Sequence, residues 1–133
     1  MNIIICGAGE VGYNLARLLS DEKNEITIID HDERRIEQVS SKLDVRTLIG
    51  YASHPNILKE AEADKADMII AVTQSDEINM ISCQIAQALF SVPIKIARVR
   101  SEAYNLKEWR SLFDTGLFSI DALISPEQEV AKS

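Results

Sequence analysis

Short, continuously apolar runs recur along this chain and alternate with segments of helical pattern, and that alternation leaves few folds open. The runs are NIIIC (2–6), EITIID (25–30), VRTLIG (45–50), MIIAVT (68–73), IKIARV (94–99) and ALIS (122–125). Most are rich in β-branched residues and lack polar alternation, as strands covered on both faces require. Between them lie GYNLARLLSDE (12–22), DERRIEQVSSKL (32–43), HPNILKEAEA (54–63) and DEINMISCQIAQALF (76–90). Strands separated by helices pair in parallel through right-handed crossovers. The expected fold is therefore α/β: a Rossmann-like, doubly wound parallel sheet of six strands with helices on both faces.

Caps mark several helix boundaries. Ser53, ahead of His54 and Pro55, offers an N-cap hydroxyl with proline in the first turn. Asp32 fills the same role for the second helix. Ser125-Pro126-Glu127-Gln128 reads as a further helix start with a capping-box glutamine, close to the last residue, Ser133. Residues 1–133 thus read as a single nucleotide-binding domain whose natural protein is expected to continue. In the fourth helix Ile78, Ile81, Ile85 and Leu89 share a face suited to packing on the sheet. Met80, Cys83 and Phe90 fall on another face, and such a second apolar stripe either meets a partner copy or buries the helix more deeply within the monomer.

Composition excludes several classes. A formal net charge of −7 argues against a nucleic-acid partner, which needs a basic field. No apolar stretch approaches the ~20 residues that cross a bilayer, and the N-terminus lacks a signal-peptide pattern, so a cytoplasmic location without direct membrane insertion is expected. The two cysteines, Cys6 and Cys83, have neither metal-site nor redox-pair spacing and are expected to be buried, reduced thiols.

Chemistry concentrates where the first run breaks into glycines. Gly7, Gly9 and Gly12 match G-x-G-x-x-G between a strand and a helix. In that context the first glycine makes the tight turn, the second lets backbone approach a pyrophosphate, and the third lets helix and strand pack closely. The helix N-terminus then presents amides and a partial positive charge to phosphate. Asp30, ~20 residues on at the end of the second strand, is placed to accept from ribose hydroxyls and to disfavour a 2′-phosphate, so NAD is expected over NADP. His31 either borders the adenosine or is a solvated turn residue. Gly50, Tyr51, Ala52, Thr73 and Gln74 follow strands three and four and should line the same crevice. Arg98 and Arg100 end strand five, where they either reach a phosphate or form exposed ion pairs.

The ordered set IIICGAGEVG, ITIID, IGYASHPNILKEA, ADMIIAVTQSDEINM and IKIARVRS resembles the N-terminal RCK (KTN) domain family, the nucleotide-binding domains of cytosolic subunits of bacterial Trk potassium uptake systems. The resemblance covers nearly the whole chain, and its ASHP and AVT..DE.NM blocks are far more restrictive than three glycines. It implies a Rossmann regulator that binds NAD(H), and in relatives ATP or ADP, and transmits that state to a membrane potassium channel. It implies nucleotide contacts at Gly7, Ala8, Gly9, Glu10, Val11, Asp30, Thr73, Gln74 and Arg98. It also implies homodimers within larger rings, peripheral to the inner membrane through the channel. Tyr51 departs from the acidic or polar residue of many relatives, and Glu10 from the arginine of some that bind ATP.

Three function classes are compatible with a glycine-rich turn followed by an acid: a regulatory ligand-binding domain, the cofactor half of an NAD-dependent dehydrogenase, and a methyltransferase. A dehydrogenase needs a proton-transfer group near the nicotinamide. The two histidines, His31 and His54, lie elsewhere by position, and no lysine–tyrosine or cysteine–histidine arrangement is evident. Gly12 and the parallel pattern through strand six weigh against a methyltransferase. A regulatory domain without catalysis is the expectation.

Overall fold

The computed structural model describes residues 1–109, 111–114 and 120–124. Six parallel strands form one sheet: β1 (Asn2–Cys6), β2 (Glu25–Asp30), β3 (Arg46–Ile49), β4 (Met68–Ala71), β5 (Ile94–Arg98) and β6 (Ala122–Ile124). Their order in space is β3-β2-β1-β4-β5-β6. The helices are α1 (Glu10–Ser20), α2 (Glu33–Lys42), α3 (Pro55–Glu60), α4 (Asp76–Phe90) and two single turns, α5 (Glu102–Asn105) and α6 (Ser111–Asp114). This is the doubly wound Rossmann-like architecture expected from the alternating pattern.

Strand β1 shows why its run is apolar throughout. Ile3 and Ile5 enter one cluster with Ala16 of α1 and Ile36 and Val39 of α2. Ile4 and Cys6 enter the other with Leu58 of α3 and Met80, Cys83 and Ala86 of α4. Because side chains alternate across a strand, a sheet covered by helices on both sides admits no polar position in its centre.

Some boundaries differ from the sequence reading, each for a local reason. Helix α1 starts at Glu10, two residues before the expected Gly12, because extended Gly9 (φ −73°, ψ −165°) serves as its N-cap. Helix α3 is capped at His54 and not at Ser53. A residue preceding proline is driven out of the helical region, so His54 is extended (φ −96°, ψ 124°) and Pro55 becomes the first helical residue. The expected cap at Ser125 lies outside the described residues.

Helix α4 turns a different face to the sheet than its isoleucine spacing suggests. Asp76, Asn79, Met80, Ser82, Cys83 and Ala86 are buried, whereas Ile81 and Leu89 are 43% and 62% exposed, so the Met80–Cys83 stripe is taken up by the core of the monomer and is not left for a partner. Polar groups at the start of α4 decide this orientation. Asn79 donates through Nδ2 to the carbonyls of Thr73 (3.1 Å) and Arg98 (2.8 Å), and Asp76 accepts from the backbone amides of Arg100 and Ser101. Buried polar groups with several partners are costly to turn out of place, and they outweigh the pull of three or four aliphatic side chains.

Candidate functional site

The strand order reverses direction at β1 and β4, and a cleft of about 330 Å³ opens outside their C-terminal ends. That is where open α/β sheets bind ligands. Thirteen of the expected site residues line it: Gly7, Gly9, Glu10, Val11, Asp30, His31, Gly50, Tyr51, Ala52, Thr73, Gln74, Arg98 and Arg100. Ala8 and Gly12 do not. The amide of Ala8 is taken up by Asp30 Oδ2 at 2.8 Å, and Gly12 is pressed against the backbone of Gly7.

The three glycines are required for different reasons. Gly7 has φ +109°, and a Cβ there would lie 2.9 Å from the Val72 carbonyl oxygen, so the turn itself excludes a side chain. At Gly12 a Cβ would overlap the Gly7 carbonyl oxygen. Gly9 is under neither constraint. Its backbone is ordinary extended chain, and a Cβ would meet no atom nearer than Arg35 Nη1 at 3.7 Å. The protein has room for a side chain at Gly9, and that room belongs to the cleft.

Above Gly9 the first turn of α1 precedes the first intrahelical bond, from Tyr13 N–H to the Gly9 carbonyl at 2.8 Å. Side chains cap α2 (Asp32 Oδ1 accepting from Arg34 N–H) and α4 (Ser75 Oγ accepting from Ile78 N–H), but Gly9 brings none to α1. The amides of Glu10, Val11 and Gly12 therefore form a donor set suited to an anion.

Asp30 is only 6% exposed, and its carboxylate pins the end of β2 to its surroundings. Oδ2 accepts from Ala8 N–H and Oδ1 from Asp32 N–H, both at 2.8 Å. A carboxylate offers about four lone-pair sites, so two backbone bonds leave acceptor capacity toward the cleft that Asp30 lines. Beside it His31 stacks on Tyr51, with ring centroids 4.7 Å apart and planes 7° from parallel, and Tyr51 also meets the ring of His54 at 5.4 Å. His31 is thus a stacked wall of the cleft mouth, and the aromatic Tyr51 has a local use as its partner.

Arg98 is buried, not part of an exposed arginine pair. Its Nη2 donates to the Val72 and Thr73 carbonyls at 2.8 Å each, bracing the loop after β4, while the side chain still lines the cleft. Arg100 reaches the Gln74 carbonyl at 3.4 Å. Thr73 is held again by Asn79, whose Oδ1 accepts from Thr73 N–H (2.9 Å) and Thr73 Oγ1 (2.6 Å).

Sequence reasoning missed Asn79, Asp76 and Arg35 as parts of this site. The signal for the first two was their spacing. Asp76 and Asn79 sit three apart, with Cys83 one turn further on the same helix face. Arg35 lines the cleft 3.8 Å from Asp30 and becomes visible only once Ile36 and Val39 are known to face the sheet.

Neither cysteine offers a nucleophile. Both are buried and free; burial drives the Cys6 thiol well up, with Cys83 adding to the effect. Cys83 is pushed up to about 12 by burial, against the pull of Lys95 and with a smaller push from Asp121. Thiol chemistry requires the thiolate, which these environments disfavour. The unfolded thiols ionise near their ordinary value while the folded ones stay protonated, so stability is fully present below that value and falls as pH rises through it toward 12. Thermal melts should therefore drop progressively above about pH 9, and Cys6→Ala with Cys83→Ala should flatten that drop.

A family model described as the TrkA-N domain matches residues 3–126 of the chain. The Trk system potassium uptake protein TrkA of Halomonas elongata is 50% identical over 130 residues. That match covers 98% of this chain and 28% of the relative, so the chain spans little more than a quarter of the relative's length. Among solved structures, the TrkA-N domain of inner membrane protein ybaL from Escherichia coli superposes with a TM-score of 0.82 at 20% identity, over 98% of this chain and 91% of that one. The GsuK channel bound to NAD superposes with a TM-score of 0.76 at 19% identity, over 97% of this chain and 22% of that one. Identities this low speak for the shared fold.

Proposed function

The chain belongs to the TrkA-N domain family, and from that premise we propose that it is the NAD(H)-binding regulatory domain of a bacterial potassium uptake system, with ATP or ADP as ligands of the same cleft. Gly9 carries this reading. A glycine that neither the backbone nor its protein neighbours require, set below the uncapped amides of α1, makes sense where a diphosphate fills the space. Asp30 then takes the adenosine ribose, and the His31–Tyr51 stack borders the base. The GsuK channel bound to NAD, which shares the fold, supports the choice of nucleotide.

The domain binds the nucleotide without turning it over. Hydride transfer needs an acid–base group at the nicotinamide end, and the cleft residues toward β4 and β5 are Thr73, Gln74, Ser75, Ile78, Arg98 and Arg100. None of these six side chains is a carboxyl, imidazole, amine or phenol, and Arg98 and Arg100 both donate to backbone carbonyls. Steady absorbance of NADH mixed with the purified protein and candidate carbonyl substrates is the expected result; substrate-dependent oxidation would favour a dehydrogenase.

Calorimetric titration tests the binding itself. NAD is expected to bind at one site and NADP more weakly, because the Asp30 carboxylate faces the ribose. Asp30→Asn is the milder variant: Asp30→Ala strips acceptors from both the Ala8 and Asp32 amides, whereas Asn keeps one and turns its own N–H donors on the other, so melting temperatures are measured beside the titration. Loss of a charged hydrogen bond costs about 1.5–3 kcal/mol, roughly ten- to hundredfold in Kd, so NAD should weaken by that factor and the preference over NADP should disappear. Wild-type NADP binding equal to or tighter than NAD contradicts the assignment.

Regulation requires a partner. Ile81 and Leu89 form an exposed apolar stripe on α4, flanked by half-buried Ile85, and this stripe supports a homodimer or larger homo-oligomer that acts on a membrane potassium channel of the Trk type. No helix among the described residues is long and apolar enough to cross a membrane, and the domain is proposed to work in the cytoplasm, peripheral to the inner membrane through that channel. Ile81→Glu with Leu89→Glu should convert sedimenting dimers to monomers, whereas a wild-type monomer at all concentrations removes this interface.

A further inference from the structure

We propose that Asn79, which lies behind the cleft wall, positions the half of the cleft beyond the diphosphate and so decides how strongly the site distinguishes a dinucleotide from adenosine diphosphate. The inference rests on the nucleotide-binding reading given above and goes beyond it in tracing recognition of the ligand's second half to a residue that does not line the cleft.

Asn79 is fully buried, and its side-chain amide makes four hydrogen bonds. Oδ1 accepts from the Thr73 N–H at 2.9 Å and the Thr73 hydroxyl at 2.6 Å, and Nδ2 donates to the carbonyls of Thr73 at 3.1 Å and Arg98 at 2.8 Å. Two donors and two acceptor sites are all that an asparagine amide has, so no capacity is left for a ligand. The consequence falls on Thr73. Its N–H is held by Asn79, and its carbonyl by both Asn79 and Arg98 Nη2. The loop after β4 is thus gripped from behind, while Thr73 and Gln74 are what it presents to the cleft. Through the Arg98 carbonyl Asn79 also ties that loop to the end of β5, where Asp76, one turn earlier on α4, holds the amides of Arg100 and Ser101 at 2.9 and 2.7 Å.

The adenosine half of the cleft is held by other means. Asp30 is fixed by the amides of Ala8 and Asp32, and Tyr51 by the rings of His31 and His54. The diphosphate site is the start of α1, after Gly9. A dinucleotide lies across the point where the strand order reverses. With Asp30 at the adenosine end, its second nucleoside falls over β4 and β5, on the loops that Asn79 holds. Adenosine diphosphate stops short of them. Loops that are loose before binding must be ordered by the ligand, and that cost is subtracted from its affinity. Removing Asn79 therefore penalises the ligand that uses these loops and spares the one that does not.

The test measures Kd for NAD and ADP by calorimetry on the wild type, Asn79→Ala and Asn79→Asp, with melting temperatures as the fold control. Asn79→Asp keeps the shape and both acceptor bonds but sets an oxygen against the carbonyls of Thr73 and Arg98. In both variants NAD is expected to weaken about tenfold or more and ADP less than about threefold, whereas a general loss of stability would move the two alike. The wild type supplies a second measurement that needs no variant to fold. In ¹⁵N-labelled protein the side-chain amide signals of Asn79 should shift on saturation with NAD and stay in place with ADP. Equal losses of NAD and ADP, unchanged affinity for both, or an Asn79 signal that ignores NAD or answers both ligands alike would overturn the inference and leave the nucleotide site intact. Failure of the wild type to bind either nucleotide would overturn the site reading and this inference with it.

Discussion

Gly12→Ala is expected to leave little or no folded domain. The added Cβ would overlap the carbonyl oxygen of Gly7 and lie within 3.5 Å of Ile5 Cγ2. The first obstacle is backbone, anchored because Gly7 N–H donates to the Ile29 carbonyl at 2.7 Å, so no rotamer change relieves it. Ordinary core overpacking costs about 1–3 kcal/mol. Forcing α1 off the end of β1 also parts Ala16 from Ile3, Ile5 and Ile28 in the cluster they share, and should exceed that range. Against a total stability of about 5–15 kcal/mol, such a loss removes most of the margin. Denaturant titration should find the midpoint collapsed; a midpoint near the wild type would mean that α1 and β1 do not pack as described.

Gly9→Val, three residues away, is expected to have the opposite signature: an intact fold and no nucleotide binding. The backbone at Gly9 is extended, a conformation valine favours, and the nearest protein atom to its Cβ is the end of a flexible arginine. The cost to stability should stay within the range for a replaced N-cap, about 0.5–2 kcal/mol. The two valine methyl groups would instead stand in front of the α1 amides, where the proposed diphosphate sits. Loss of that contact should weaken NAD at least a hundredfold, beyond calorimetric detection for a micromolar ligand. Retained affinity with an unchanged circular dichroism spectrum would mean that the phosphates bind elsewhere. The contrast between Gly9 and Gly12 separates what the glycine motif does for the fold from what it does for a ligand.

Much of this was legible in the sequence, for reasons that differ by element. The strands were readable because coverage on both faces leaves an unbroken apolar run, and β1 and β2 match their sequence boundaries to the residue. Helix α4 was bounded correctly but rotated incorrectly, since side-chain spacing alone ranks Ile81 above Asn79 as a core residue. What reverses the ranking is long-range: the carbonyl of Arg98 and the amides of Arg100 and Ser101 wait for polar partners at the end of β5, and only the assembled sheet brings them to Asn79 and Asp76. The same holds in the cleft. Gly7, Asp30 and Thr73 follow from strand ends, which a motif locates. Arg35 depends on the rotation of α2 about its own axis, and the buried, carbonyl-bound state of Arg98 depends on the neighbouring strand β4.

The most direct test of the account is to titrate NAD into the ¹⁵N-labelled protein and follow its amide resonances. Saturable shifts are expected at Gly9, Glu10 and Val11, with a second group from Gly50 to Ala52 and a third at Thr73 and Gln74, because these backbone segments surround one cleft. Shifts confined to the opposite end of the sheet, in the hollow bounded by Asn24, Asp44, Arg46 and Glu62, or no saturable shifts at millimolar NAD, would contradict it.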